Sequence, residues 1–334
     1  MNVKYGLRSC YGIAFLAGLV YAGIGRLLFA VPGLQSWFEI VTLSFVFLVP
    51  LAAGSIIVFI GSKEPDWGWR ESLGIPFLVI LTGLLGTLVF GWEALFCILL
   101  ASPVILLMAM IGGAVTYAIV RRNRSQGRAL VSILVLLPYA MSPLENRAAM
   151  PNQTVTADTR IEIKAPPATV WNHIIRVSSI SPSEIGWNPV YSIGFPHPVE
   201  ATLSHEGVGG VRHATFERHV LFIETVTDWK EREKISFTIH AAGDFVPPAT
   251  YDRNLTRGGQ FFEVLSGTYW IEPLSADRVI LHLYSQHRVS TRFNWYTALW
   301  TDWIMDQIQG SILHVIKRRC EDEAEALTGS PFQA

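Results

Sequence analysis

The chain has 334 residues, half of them hydrophobic and only 16% charged, with a formal net charge of −1. It is long enough for more than one domain and leaner in charge than an ordinary soluble protein, in which about a quarter of residues are charged. It lacks the basic excess that nucleic-acid binding requires. The averages hide a division: residues 1–150 hold ten Lys and Arg against six Asp and Glu, while residues 151–334 hold sixteen against twenty-one, and all nine histidines. A greasy, slightly basic half thus precedes an ordinary, slightly acidic one.

A helix needs about 20 apolar residues to cross a hydrocarbon core. Five runs are candidates: Cys10–Gly25, Glu39–Ile60, Leu73–Trp92, Ala94–Val120 and Ala129–Leu144. The fifth is short and broken by Pro138. Several runs in succession make a cleaved leader a poor reading of the first. With five crossings, a cytoplasmic N-terminus places Lys4, Arg8, Lys63, Arg70, Arg121, Arg122, Arg124 and Arg128 inside, and only Arg26 in a short outer loop. The positive-inside rule selects that arrangement, which sends residues 151–334 out of the cytoplasm. If the fifth run does not cross, that half moves inside. Arg26 and Glu93 stand near span ends, so a charged transport path is not indicated. Gly83, Gly86, Gly112 and Gly113 are candidates for close helix packing. The three cysteines, Cys10, Cys97 and Cys320, form no CxxC pair, which argues against a disulfide framework or a zinc site.

In the second half, NQTVTAD (Asn152–Asp158) reads as a polar linker and TRIEIKA as a strand. Pro166 and Pro167 open a helix with an apolar stripe of Val170, Trp171, Ile174 and Ile175. Ser181 and Glu184 have capping-box spacing, with Pro182 at the first helical position. Strands are then expected over Glu200–Ser204, Val211–Glu217, Leu221–Thr227, Lys234–His240, Gln260 through Glu272, and Val279–His287. The turns between them are EGVGG, DWKERE, TRGG and LSADR. A long amphipathic helix runs from about Asn294 to Glu325, with a stripe that includes Leu299, Trp300, Trp303, Ile304, Ile308, Ile312 and Ile316. One such helix can cover the buried face of a curved antiparallel sheet, leaving an apolar cavity between them.

IEIKAPPATVWNHI (from Ile161), EGVGGVRHATFE (from Glu206), ETVTDWKEREKISFTI (from Glu224) and GTYWIEPLSADRVILHL (from Gly267) resemble the SRPBCC superfamily. This is the group of START, Bet v 1 and polyketide cyclase/dehydrase-like domains. The resemblance spans roughly Thr154 to Glu325. It implies an α+β helix-grip fold over residues 151–334, behind an all-helical transmembrane domain over residues 1–150. It also implies a pocket for a hydrophobic small molecule or lipid, without fixing a reaction.

Strand parity nominates the pocket. Phe222, Glu224 and Val226 share one face, as do Arg212, Ala214 and Phe216, and as do Tyr269 and Ile271. The long helix contributes Trp300, Trp303 and Ile304. Arg212 is either the ion-pair partner of Glu224 or the holder of a ligand's acid group. In an enzyme of cyclase or dehydratase type, Glu224 would be the general acid/base, with Arg212 or His213 stabilising negative charge. The histidines have no HExxH spacing, and no cofactor or metal is implied. Three functions stand side by side: a membrane-anchored binder of a hydrophobic molecule, such an enzyme, and a subunit whose spans pair with another membrane protein.

Overall fold

The computed structural model describes residues 3–31, 34, 37–39, 41–242 and 261–328. They form two compact units, Met1–Met150 and Pro151–Ala334.

The first unit is a helical bundle of α1 (Val3–Ala30), α2 (Val49–Gly61), α3 (Trp69–Val89), α4 (Leu95–Arg122) and α5 (Arg124–Arg147). All five helical segments are long and apolar enough to cross a membrane, α2 together with the π-helical turn Ser44–Leu48 that leads into it. Pro50 has no N–H to donate, which suits the looser turn at that point. The segment containing α2 is the most enclosed of the five. It touches α4 backbone to backbone. A Cβ on Gly54 would lie 1.9 Å from the Ala109 carbonyl oxygen, and one on Gly112 would lie 2.0 Å from that of Leu51. Ser55 Oγ donates across the same crossing to the Gly112 carbonyl at 3.1 Å. Gly113 is equally constrained by the Ser72 carbonyl, at 2.3 Å, whereas Gly86 faces open space. In lipid, where burial of apolar surface gives no drive, such close approach of small residues is what holds helices together.

The fifth run is one continuous helix of 24 residues despite Pro138 and Pro143, about 36 Å long at 1.5 Å per residue. Its first residue, Arg124, donates to the carbonyls of Phe59 and Ser62 at the end of α2. Near its other end, Glu145 accepts from the backbone N–H groups of Leu43 and Ser44, at 2.6 and 3.0 Å, just before α2. So α5 runs antiparallel to α2 along its whole length. Arg26, near the end of α1, pairs with Glu93 at 2.5 Å.

The second unit is a seven-stranded antiparallel sheet with order β1-β7-β6-β5-β4-β3-β2. The strands are β1 (Gln153–Ile163), β2 (Pro198–Leu203), β3 (Val211–Phe216), β4 (Val220–Lys230), β5 (Lys234–Ala241), β6 (Phe262–Ser275) and β7 (Arg278–Val289). Three helices, α6 (Pro167–Ile175), α7 (Pro182–Ile185) and α8 (Pro189–Ser192), lie between β1 and β2, and α9 (Asn294–Thr328) follows β7. This is the helix-grip arrangement. The expected strand start at Gln260 and the TRGG turn lie outside the described residues.

Two local readings change. NQTVTAD is not a linker: β1 pairs with β7 without interruption from Gln153 opposite Val289 to Ile163 opposite Val279. Its Thr and Val residues fit a half-exposed edge strand, where polarity does not prevent pairing. The helix α8 was not expected. It is four residues long, and Asn188 caps it by accepting from the Val190 N–H at 2.9 Å.

The inner face of the sheet carries one continuous core. Ile163 of β1, Val226 of β4, Ile235 and Phe237 of β5, Tyr269 and Ile271 of β6, and Val279, Leu281 and Leu283 of β7 pack with Val170, Trp171 and Ile174 of α6. From α9 the same core takes Leu313, Ile316 and Cys320. The backbone of α9 runs mainly against β1, β7 and α6. A second cluster joins Ala201, Ala214 and Tyr191 to Val315, with Phe216, Phe222 and Ile308 at its margin.

Candidate functional site: a buried ion pair on the inner face of the sheet

Arg212 of β3 and Glu224 of β4 are direct cross-strand partners. Both are buried, at 4% and 6% exposed, and Arg212 Nη1 donates to Glu224 Oε2. Two residues further along β4, Val226 faces Phe237 of β5, and Ile235 of β5 faces Tyr269 of β6. Strand parity therefore brings two aromatic rings to the same patch. The Arg212 guanidinium carbon lies 5.6 Å from the Phe237 ring centroid and 6.0 Å from that of Tyr269. Phe237 occupies this place because β6 has glycine opposite it. A Cβ on Gly267 would stand 2.5 Å from the Phe237 ring.

Burial dominates the electrostatics of the pair. Loss of water pushes the Glu224 carboxyl above the usual carboxylate range, and the attraction of Arg212 only partly opposes this. Arg212 stays charged, because a guanidinium does not give up its proton in a protein. Tyr269 is raised by burial, with Arg212 working the other way. Arg212 Nε is buried and has no hydrogen-bond partner among the described residues.

The other expected residues divide. Ala214, Val226, Ile271 and Ile304 are buried. Phe216 and Phe222 form an edge-to-face pair with centroids 5.4 Å apart, in the cluster that includes Ala214 and Tyr191. Trp300 and Trp303 are half-buried and pack on each other at 6.1 Å; Trp300 also meets Tyr296 at 6.2 Å. These tryptophans form an aromatic row along the first half of α9, outside both clusters that carry the ion pair's neighbours. His213 is exposed. One residue along β3 from Arg212, it falls on the opposite face of the sheet, so it does not join Glu224.

Three buried polar contacts on the inner side were not anticipated. Gln309 of α9 donates to Ser285 of β7 at 2.7 Å and accepts from Thr159 of β1 at 2.8 Å. Tyr191 of α8 and Ser311 of α9 share a hydrogen bond of 2.6 Å. His287 of β7 is fully buried and meets Thr301 at 3.2 Å, while its Nδ1 has no partner among the described residues. Burial holds its imidazole below the ordinary histidine range. For two of these the signal was present: Ser285 and His287 share the parity of Leu281 and Leu283, and Gln309 lies four residues from Leu313 on the apolar stripe. A polar residue inside an apolar periodicity implies a buried hydrogen bond. Among the described residues, no three His, Cys, Asp or Glu side chains come together as a metal site would require.

No family model and no curated protein matches the chain. Solved structures match its second half at low identity. One is a truncated norcoclaurine synthase from Thalictrum flavum, 12% identical, covering 51% of this chain and 96% of that one, with TM-score 0.32. A conserved protein from Geobacillus kaustophilus is 14% identical over 51% of this chain and 97% of that one, with TM-score 0.32. A protein from Arthrobacter aurescens is 15% identical over 51% and 86%, with TM-score 0.30. The fold of the second half stands on its own strand order and terminal helix.

Proposed function

We propose that residues 151–334 hold a hydrophobic small molecule or lipid between the inner face of β3–β6 and α9, and that residues 1–150 anchor this domain to a membrane. The observation that carries the proposal is the buried Arg212–Glu224 pair with its unpartnered Nε. Such a pair is a weak source of stability, because apolar residues of similar size serve a core as well or better. A guanidinium lying against two aromatic rings, with a donor that has no partner among the described residues, is instead suited to one polar group of an otherwise apolar guest. In this assignment Arg212, Glu224 and Tyr269 make the polar contacts. Ala214, Phe216, Phe222, Val226, Ile271 and Ile304 form the apolar wall, and Trp300 and Trp303 flank it from α9.

The anchor has a physical use. Hydrophobic guests partition into bilayers, and a tethered pocket meets them at a high effective concentration. The charge pattern supports an orientation. Lys63, Arg70, Arg121, Arg122, Arg124 and Arg128 follow α2, open α3, or join α4 to α5, so they belong to one end of the bundle. By the positive-inside rule that end is cytoplasmic, and the second unit lies on the other side.

One observation favours a second reading, an enzyme acting on the same guest. A carboxyl raised by burial beside a fixed cation is the kind of group that serves as a general acid or base. Glu224 would then be the acid/base, and Arg212 the stabiliser of developing negative charge.

Native mass spectrometry of the full chain released from nanodiscs tests the binding proposal. Wild type is expected to carry a bound apolar mass, and Ala214→Trp, which fills the wall, to lose it with unchanged circular dichroism. A wild-type chain that never carries a guest, even after incubation with total membrane lipid, ends the proposal. Turnover abolished in Glu224→Gln while the guest remains bound selects the enzyme.

A further inference from the structure

Most large apolar side chains of the second unit are buried, but two exposed ones stand together at the start of α9. Trp295 is 65% exposed and Leu299 67%. They are four residues apart, so they share one face of the helix. Tyr296 and Trp300 lie beside them, half-buried, with Tyr296 packed against Trp295 at 5.7 Å. The same face turns acidic further along: Asp302 and Asp306 are exposed and follow Trp295 and Leu299 by seven residues each. Two turns, about 10 Å, separate the apolar residues from the acidic ones.

The chain's own connectivity says what lies near this tip. Asn294 Nδ2 donates to the Pro151 carbonyl at 3.0 Å, and Ser290 Oγ donates to Asn152 Oδ1 at 2.6 Å. The first turn of α9 is thus bonded to the residues that follow the fifth candidate span, which ends at Arg147. Three residues, Ala148, Ala149 and Met150, lie between Arg147 and Pro151, and the four steps from one to the other reach roughly 14 Å at full extension. The first turn of α9 is therefore bonded to residues only a short stretch of chain beyond the fifth candidate span.

We propose that the first turns of α9 insert into the interfacial layer of the bilayer, with Trp295 and Leu299 among the lipid headgroups and upper acyl chains. Trp and Tyr are enriched at that depth, and interfacial helices bury their apolar face about 5–10 Å. Asp302 and Asp306 limit the depth, so the helix enters by its end rather than along its side. The inference rests on the membrane spans and the two hydrogen bonds, and stands whether or not the interior holds a guest. If it does, the inserted tip sets the end of the sheet where β1 begins and β7 ends toward the lipid.

The test uses the full chain in nanodiscs, with Cys10 and Cys97 replaced by Ala. Cys320 stays: it is buried, and burial pushes its thiol up to about 12, so it resists labelling. A fluorescent NBD group is placed at Leu299→Cys, and separately at Trp295→Cys in case one variant folds poorly. The control is Leu274→Cys, exposed near the β6–β7 turn. That turn is roughly 35 Å along the sheet from Val289, at 3.3 Å per residue. Nitroxide-labelled phosphatidylcholine is the quencher. The expected result is quenching at positions 295 and 299 at least threefold stronger than at 274, with a blue-shifted emission. Equal quenching at all three positions overturns the inference. So does a blue shift at 299 without quenching, because a protein and not lipid would then cover the tip.

Discussion

Removing one member of the Arg212–Glu224 pair should harm the sheet in an asymmetric, pH-dependent way. Both groups are buried and bonded to each other across adjacent strands. Glu224→Leu leaves a guanidinium that cannot neutralise itself, and an uncompensated buried charge costs about 3–5 kcal/mol. At about 1.4 kcal/mol per factor of ten, exchange of the β3 and β4 backbone amides should accelerate about 10²- to 10⁴-fold. Arg212→Met leaves a carboxyl that can take up a proton. With its cation gone, the folded-state pKa of Glu224 rises further above its unfolded value, near 4.3. A folded-state pKa above the unfolded one means that stability is fully present below the unfolded value and is lost as pH rises through the folded one. Arg212→Met should therefore come closest to wild type below about pH 4 and lose protection as pH rises, whereas Glu224→Leu is damaged throughout. The double variant removes both charges and should recover to within about 1 kcal/mol of wild type, or exceed it. Hydrogen exchange with mass spectrometry on the full chain, corrected for intrinsic rates, measures all three. If each single variant costs less than about 1 kcal/mol, or if the two singles simply add in the double, the pair is not the desolvated couple described here. The proposed function adds a second readout: the double variant should be folded yet empty of guest.

Two further outcomes follow from packing and burial. Gly112→Val drives a side chain into the Leu51 carbonyl, where even a Cβ would sit at 2.0 Å; it should lower the SDS fraction at which the first unit unfolds, by about 1–3 kcal/mol of overpacking. Gly86→Ala, with nothing within 4 Å, should unfold like wild type, and equal midpoints for the two variants would contradict the α2–α4 contact. His287 has a folded-state pKa depressed by burial, so its contribution is present above the unfolded value, near 6.5, and is lost as pH falls through the folded one. Thermal melts followed by near-ultraviolet circular dichroism should show wild type losing stability as pH falls below about 6.5, and His287→Gln losing less; parallel profiles would show that His287 does not carry this pH dependence.

Much of this protein was legible without coordinates because its signals are periodic. The apolar runs gave five membrane-length helices, since backbone groups in lipid must be satisfied within each segment and length alone is diagnostic. Period-two alternation in β3, β4 and β6 put Arg212, Glu224 and Tyr269 on the buried face, because a strand offers each side chain only two directions. The same rule excludes His213 from the Glu224 side, although its nearness in the chain had made it a candidate. The periodic signal fails for β1: Gln153 to Asp158 is polar enough to pass for a linker, and becomes a strand because β7 supplies a ladder of partners. The pairing of Tyr191 with Ser311, 120 residues apart, has no local signature at all.

The sequence by itself determined which segments are long and apolar enough to cross a membrane, which face of each strand is buried, and that a long striped helix follows the last strand, because hydrophobic periodicity is a property of neighbours along the backbone. Only the tertiary structure decided that Arg212 lies against both Phe237 and Tyr269, that α5 spans the bundle from one end of α2 to the other, and that the start of α9 is bonded to Pro151. Those facts depend on register and on contacts between distant segments, which strand order and helix crossing fix and which no local pattern encodes.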